Sequence, residues 1–287
     1  MIHYLKLMRP QQWIKNLFLF APLFFSFQYS PENIVAVFEG FILFSLASSG
    51  LYSINDVFDR EEDRQHPEKK DRPVAAGKIG TRSAVFFAIV LLIVAFIGAA
   101  LLDTSFLMVL GIYVIMILAY SLKLKQISIL DITLIAGGFV LRIYAGAELI
   151  DVTPTNWIVL VTFLLALFLA LAKRRDDVLL GDDGIKTRKN ADVYNLEMIN
   201  AGMVFMAGVT TVAYIMYTMS EDVIDRLDSE NIYLTSGFVV IGILRYMQIT
   251  FVENRSGNPT YLVIKDIFLQ VTIICWLISF LIFYFLI

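Results

Sequence analysis

Apolar residues run through this chain in long blocks, broken by short polar stretches. Blocks of about 20 apolar residues are what a helix needs to cross the ~30 Å hydrocarbon core of a bilayer. The breaks leave segments over 15–29, 34–54, 82–102, 105–121, 130–149, 155–173, 198–219, 233–252 and 261–287. The pattern predicts an all-α, polytopic membrane protein with about nine transmembrane helices, folded as one integral-membrane domain over residues 1–287. The first segment is short and carries Pro22, which predicts a kinked or partly interfacial helix.

Composition sharpens this reading only where it excludes something. At 58% hydrophobic, 17% charged and a mean hydropathy of +0.73, the chain is too apolar for an ordinary soluble domain. Its net charge of −3 says little, because the charges are clustered, and nothing predicts a nucleic-acid partner. The single cysteine, Cys275, excludes an intrachain disulfide and a cysteine metal site. No small-residue cleavage site follows the basic N-terminal residues Lys6, Arg9 and Lys15, so the first helix is read as retained.

The polar breaks alternate in sign. Segments 56–82, 122–126 and 173–189 are rich in lysine and arginine, whereas the intervening connections carry Glu32, Asp103, Glu148, Asp151 and the acidic stretch SEDVIDRLDSEN. The positive-inside rule then places the N-terminus and the polar loops at about 56–81 and 173–197 in the cytoplasm of a cell-membrane protein, with the C-terminus outside.

Two of these loops hold more chemistry than topology requires. In NDVFDREED, Asn55, Asp56, Asp59 and Asp63 recur at helical spacing and share one face. Three carboxylates and an amide on one face repel unless a cation sits among them. Hard oxygen ligands suit Mg²⁺ held jointly with substrate phosphates. Glu61 and Glu62 point off this face, toward water. Downstream, RQHPEKKDRP brings Lys69, Lys70 and Arg72; arginine forks and lysine point charges both bind phosphate. Carboxylates followed by bases make a metal-bridged diphosphate the natural guest. The second loop, LAKRRDDVLLGDDGIKTRKN, echoes that order: Lys173, Arg174 and Arg175 end the apolar block, Asp176, Asp177, Asp182 and Asp183 follow, and then come Lys186, Arg188 and Lys189. Both loops are expected to face one central polar cavity.

Polar residues inside the apolar blocks mark the cavity wall. Tyr120, Lys123 and Lys125 lie in YSLKLKQ, and Asp131 opens the next block. Arg142 lies well inside that block, where an arginine is expected to meet a polar cavity or an acidic partner. Arg245 is similar but nearer an interface. The acids gather at one membrane face, which favours a capped reaction site over the mid-membrane ion path of a transporter.

NDVFDREEDRQHPEKKDRP resembles the first aspartate-rich motif, NDxxDxxxD, of the UbiA-type intramembrane prenyltransferase superfamily, and the likeness covers essentially the whole chain. RPQQWIKN, YSLKLKQISILD, GFVLRIYAGA and LALAKRRDDV are similar to its branch of decaprenyl-phosphate phosphoribosyltransferases. The acids of the second loop lack the DxxxD spacing of aromatic-prenylating members, and Asp177 stands where the branch more often has glutamate. The resemblance implies Mg²⁺-dependent transfer of 5-phosphoribose from phosphoribosyl pyrophosphate to a membrane polyprenyl phosphate. It assigns Asp56, Asp59 and Asp63 to the metal, and Arg72, Lys123 and Lys69 to the leaving diphosphate. Lys15, Asn16, Asn55, Tyr120, Arg142, Lys173, Arg174 and Asp177 become candidate substrate-binding residues. The alternative it leaves is a prenyltransferase joining a polyprenyl diphosphate to an aromatic, 4-hydroxybenzoate-like acceptor.

Overall fold

The structure, a computed structural model, describes residues 2–67, 69–182, 194–255 and 259–286, and among them every regular element is helical. Among the described residues seven helices are long and apolar enough to cross a membrane: Pro31–Phe58 (α3), Thr81–Leu102 (α5), Thr104–Leu122 (α6), Leu130–Glu148 (α7), the stretch Asn156–Leu179 of α8 (Asn156–Asp182), Leu196–Thr218 (α9) and, after the short α10 (Glu221–Leu227), Glu230–Phe251, which ends in α11 (Ser236–Phe251). Helices α12 (Pro259–Lys265) and α13 (Ile267–Leu286), bent by 83° at their break, supply an eighth if counted as one span.

The first expected span takes another form. After α1 (Ile2–Met8), residues Pro10–Phe20 form a 3-10 helix that runs directly into α2 (Ala21–Ser26). Runs of this kind seldom exceed one turn, and their side chains eclipse every third residue. Here the eclipsed row is Trp13, Asn16 and Leu19, and each member has a built partner. Trp13 Nε1 donates to Ser49 Oγ at 3.0 Å, Asn16 Nδ2 donates to Ser45 Oγ at 2.9 Å, and Leu19 is buried in an apolar core. The period-three row is thus matched to an i, i+4 row of serines on α3.

The chain divides into two compact units, one built from residues up to Pro154 and one from Thr155–Leu179 with Tyr194–Ile287. In the first unit α3 packs along α5, and α6 along α7. The inward face of α5 carries Ala84, Ala88, Leu91, Ala95 and Ala99, while Phe86, Ile93, Ile97 and Leu101 are exposed. Small residues inside and large apolar ones outside suit a helix whose solvent is lipid. Asp103 makes the α5–α6 corner by accepting from Phe106 N at 2.7 Å. A second close approach joins α7 to the 3-10 helix: a Cβ on Gly146 would lie 1.9 Å from the Leu19 carbonyl oxygen.

Both polar loops are more helical than expected. Helix α3 continues to Phe58, and α4 (Arg60–Gln65) follows after a break at Asp59. Helix α8 (Asn156–Asp182) continues through Lys173–Asp177, because AKRRDDVLL contains no helix breaker. Asp183 lies outside the described residues, as do Lys186, Arg188 and Lys189.

In the second unit Arg175 ties three helices. It donates to Asn200 of α9 (3.1 Å), to the Thr250 carbonyl of α11 (2.8 Å) and to Asn254 (3.0 Å). Arg245 does not sit alone in lipid: it pairs with Asp266 at 2.7 Å and with Glu253 at 3.1 Å.

Candidate active site

The acidic motif is built on the end of α3. Backbone bonds from Asp59 N to the Asn55 carbonyl (2.9 Å) and from Asp63 N to the Asp59 carbonyl (2.8 Å) carry the i, i+4 ladder across the break. Asp56, Asp59 and Asp63 therefore stay near one another, while Glu61 and Glu62 are exposed on the outer side of α4.

Each carboxylate meets a cation of the same unit. Arg72 Nη1 donates to Asp63 Oδ2 at 2.6 Å and reaches Asp56 Oδ1 at 3.5 Å. Lys125 pairs with Asp59 Oδ1, and Asn55 Nδ2 donates to Asp59 Oδ2 at 2.8 Å. Asp56 Oδ1 also accepts from Arg9. The result is a belt in which three carboxylates interleave with three cations.

Local structure explains who reaches the belt. Arg72 sits in a packed turn: Arg72 N donates to the Lys69 carbonyl at 3.0 Å, Ala76 N donates to the Arg72 carbonyl at 2.8 Å, and Val74 and Ile79 bury against Leu7 and Ala84. Lys69 itself is half-buried there. Arg9 holds a left-handed backbone, φ 52°, between α1 and Pro10, a conformation that costs an L-residue about 1–2 kcal/mol. That kink turns its guanidinium onto Asp56 and over the Tyr52 ring, 5.3 Å from the centroid. Burial lowers the Arg9 pKa, and the Asp56 charge opposes the drop.

Two expectations change here. Lys123 is exposed at the C-cap of α6, and Lys125 is the lysine on the motif, because the 3-10 turn Leu124–Gln126 carries it toward α3. Three carboxylates converging on one metal are not found either: among the described residues, no group of three or more His, Cys, Asp or Glu side chains has metal-binding geometry. Asp63 lies beyond the Asp59 break and is held by Arg72. The residues nonetheless fit a hard cation shared with a ligand. Asp56 Oδ2 is buried without a hydrogen-bond partner, and Mg²⁺ commonly takes only one or two carboxylates beside substrate phosphates.

Deeper along α3 lies a second polar level. Arg142, 4% exposed, donates from Nε to Asn16 Oδ1 (2.8 Å), from Nη1 to the Gly138 carbonyl (2.6 Å) and from Nη2 to Tyr113 OH (2.9 Å). The rings of Phe44, Tyr113 and Phe139 surround it, with centroids 5.1, 4.8 and 5.4 Å from the guanidinium carbon. Of the polar cavity or acidic partner expected for Arg142, the described residues supply neutral oxygens and ring faces. Lys15, one residue before Asn16 on the 3-10 helix, is half-buried.

Lys173, Arg174 and Asp177 belong to the second unit. Arg174 Nη1 donates to Asp177 Oδ2 at 2.5 Å one helical turn on, and both are buried; Lys173 beside them is half-buried. Sequence reasoning missed Arg9, Tyr113 and the serines. The serines had a signal, since Ser45, Ser49 and Ser53 repeat every four residues inside an apolar block. Lys125 was named, but only as part of the wall.

Comparison with known proteins agrees with this architecture. The model of the UbiA prenyltransferase family matches residues 17–259. A decaprenyl-phosphate phosphoribosyltransferase from Mycolicibacterium smegmatis is 32% identical over 95% of this chain and 89% of its own length. One of the same name from Corynebacterium glutamicum is 31% identical over 95% of this chain and 83% of its own. Among solved structures, a UbiA homologue from Archaeoglobus fulgidus bound to DMAPP and Mg²⁺ superposes with a TM-score of 0.72. It is 19% identical, over 99% of each chain, which is a likeness of fold.

Proposed function

The chain belongs to the UbiA prenyltransferase family, and from that premise we propose that it is a membrane transferase moving 5-phosphoribose from phosphoribosyl pyrophosphate to a polyprenyl phosphate. The observation that carries the reading is the belt at the end of α3, where three cations and three carboxylates meet at one level and one buried Asp56 oxygen is left open. Such a belt suits a ligand that brings both a divalent cation and several phosphate oxygens. The near full-length similarity to proteins named decaprenyl-phosphate phosphoribosyltransferase supports the choice of donor.

Mg²⁺ held by Asp56 and Asp59 would supply Lewis-acid neutralisation of the departing pyrophosphate. Asp63 keeps Arg72 aimed at that group rather than binding the ion itself. Arg72 exchanges its longer contact to Asp56, and Lys125 and Arg9 their carboxylate partners, for phosphate oxygens, with Lys123 and Lys69 at the margin. Asn55 holds Asp59 in place. As the bond from the anomeric carbon to pyrophosphate breaks, a phosphate oxygen of the lipid forms the new bond. That nucleophile is an anion near neutral pH, so no general base is needed. Lys173 and Arg174, the latter steadied by Asp177, form a further anion-binding pair on the second unit. The belt end faces the cytoplasm, where the donor is dissolved, and the C-terminus lies outside.

The test is a pair of incubations with Mg²⁺. One holds labelled phosphoribosyl pyrophosphate with a polyprenyl phosphate; the other holds labelled polyprenyl diphosphate with 4-hydroxybenzoate. Labelled lipid product is expected in the first, dependent on Mg²⁺ and lost in Asp56→Asn. Product only in the second mixture overturns the donor assignment, and unchanged turnover in Asp56→Asn overturns the site.

A further inference from the structure

Arg9 reaches Asp56 only because its backbone takes a form that its neighbour does not favour. It precedes Pro10, and a proline ring pushes the residue before it toward extended backbone. Arg9 is instead left-handed, φ 52° and ψ 60°, a region that L-residues seldom adopt. Such a conformation persists where the surrounding structure holds it. Here one hydroxyl on α3 holds both flanks. Ser49 Oγ, fully buried, donates to the Met8 carbonyl at 2.9 Å, sharing its proton with the Ser45 carbonyl one turn back at 2.8 Å. The same oxygen accepts from Trp13 Nε1 at 3.0 Å. Met8 lies just before the kink, and Trp13 follows it on the 3-10 helix.

The place of Ser49 along α3 completes the device. Ser49, Tyr52 and Asp56 stand at i, i+3 and i+7, so they follow one another on one face of the helix. The N-terminal segment meets that face in order. Met8 and Trp13 are held at Ser49, the Arg9 guanidinium lies over the Tyr52 ring, and its tip meets Asp56 Oδ1. Leu7 is buried against Val74, Ile79 and Ala84, which fixes the end of α1 as well. The next serine of the row differs: among the described residues, the Ser53 hydroxyl bonds only to the Ser49 carbonyl, at 2.9 Å. Ser45 serves Asn16 instead. Only Ser49 grips the chain on both sides of Arg9.

We infer that Ser49 is a positioning residue for the transfer reaction: through the Met8 carbonyl and the Trp13 indole it holds the left-handed turn that aims Arg9 at Asp56. This rests on the phosphoribosyl-transfer reading given above, in which Arg9 trades Asp56 for an oxygen of the donor's diphosphate. Ser49 itself touches no substrate, since its proton and its oxygen are both engaged by the chain. An arginine already held at the belt binds the donor more tightly, because its ordering is done before the donor arrives. Ser49→Ala leaves the Met8 carbonyl and the Trp13 N–H without this partner. Arg9 then relaxes toward the extended form that Pro10 favours, and its guanidinium leaves the belt. Asp63 with Arg72 and Asp59 with Lys125 keep their places, because other bonds hold them.

The test is a double-mutant cycle on the full-length protein in nanodiscs, reading the dissociation constant of phosphoribosyl pyrophosphate in the presence of Mg²⁺. Arg9→Gln is expected to weaken binding about tenfold, the loss of one charge-assisted contact. Ser49→Ala alone is expected to weaken it roughly threefold to fivefold. Added to Arg9→Gln, the same change should cost less than about 1.5-fold, since nothing is left to aim. A general packing defect would carry over into that background in full, so equal effects in both backgrounds overturn the inference. Wild-type affinity in either single variant overturns it as well. If the wild type binds no phosphoribosyl pyrophosphate, the donor reading fails, and the cycle is run with a short polyprenyl diphosphate and Mg²⁺. Non-additivity there keeps Ser49 in its role, and additive effects remove it.

Discussion

Adding one methyl group at Gly146 tests how the 3-10 helix is held. An alanine Cβ there would lie 1.9 Å from the Leu19 carbonyl oxygen and 2.7 Å from its carbon, both backbone atoms with no rotamer to escape into. Ordinary contact begins near 3.4 Å, so the 3-10 helix and α7 must separate by about 1.5 Å (3.4 − 1.9). Alanine gains about 1 kcal/mol over glycine in helix propensity, while overpacking costs typically 1–3 kcal/mol; with no side chain able to yield, the upper end applies and Gly146→Ala loses about 2 kcal/mol net. The displacement falls on the 2.8 Å bond from Arg142 to Asn16 and the 2.9 Å bond from Asn16 to Ser45. A misplacement of about 1 Å at a reacting centre can cost on the order of a hundredfold in rate, so transfer should fall well beyond the stability loss. Gly208→Ala is the control, because nothing lies within 4 Å of its added Cβ. The assay is thermal unfolding at a fixed scan rate, with transfer measured well below the transition. If Gly146→Ala is as stable and as active as Gly208→Ala, the close approach does not exist in the protein.

Other substitutions separate residues that look alike in sequence. Lys125→Ala should reduce transfer at least tenfold, as expected for loss of a charge-assisted contact, while Lys123→Ala has a milder effect; the reverse order in steady-state kinetics would contradict the Lys125–Asp59 pairing. Arg175→Lys keeps the charge but loses the fork that joins Asn200, the Thr250 carbonyl and Asn254, so thermal stability should drop with the KM values unchanged. The 3-10 helix and α2, laid end to end, span about 31 Å at ~2.0 and ~1.5 Å per residue, enough to cross the membrane. Single cysteines at Lys6 and Ser30 in a Cys275→Ser background should then label from opposite faces; labelling from one face would show that this segment does not cross.

Much of the architecture is legible in the sequence because a bilayer imposes it. Apolar length sets where α3, α5 to α9 and α11 run, and charge at their ends marks the breaks. The motif was legible for a similarly local reason: Asn55, Asp56, Asp59 and Asp63 share a face whenever the backbone is helical. The rest depends on which groups meet, and sequence distance does not encode that. Arg9 reads as a topology charge until a left-handed kink turns it 47 positions along the chain onto Asp56. Lys123 and Lys125 are equivalent in YSLKLKQ until a 3-10 turn exposes one and pairs the other. Residues 15–29 read as a short helix, kinked at Pro22 or partly interfacial, because 3-10 and α geometries differ by only about 0.6 residue per turn. The choice was made by the serine row of α3, which offers partners to Trp13 and Asn16. Local pattern determined that this chain spans a membrane and gathers acids at one end of it. Only the tertiary contacts decided that those acids are matched by bases while Arg142 meets neutral oxygens, since a charge's partner is a fact of distance in space.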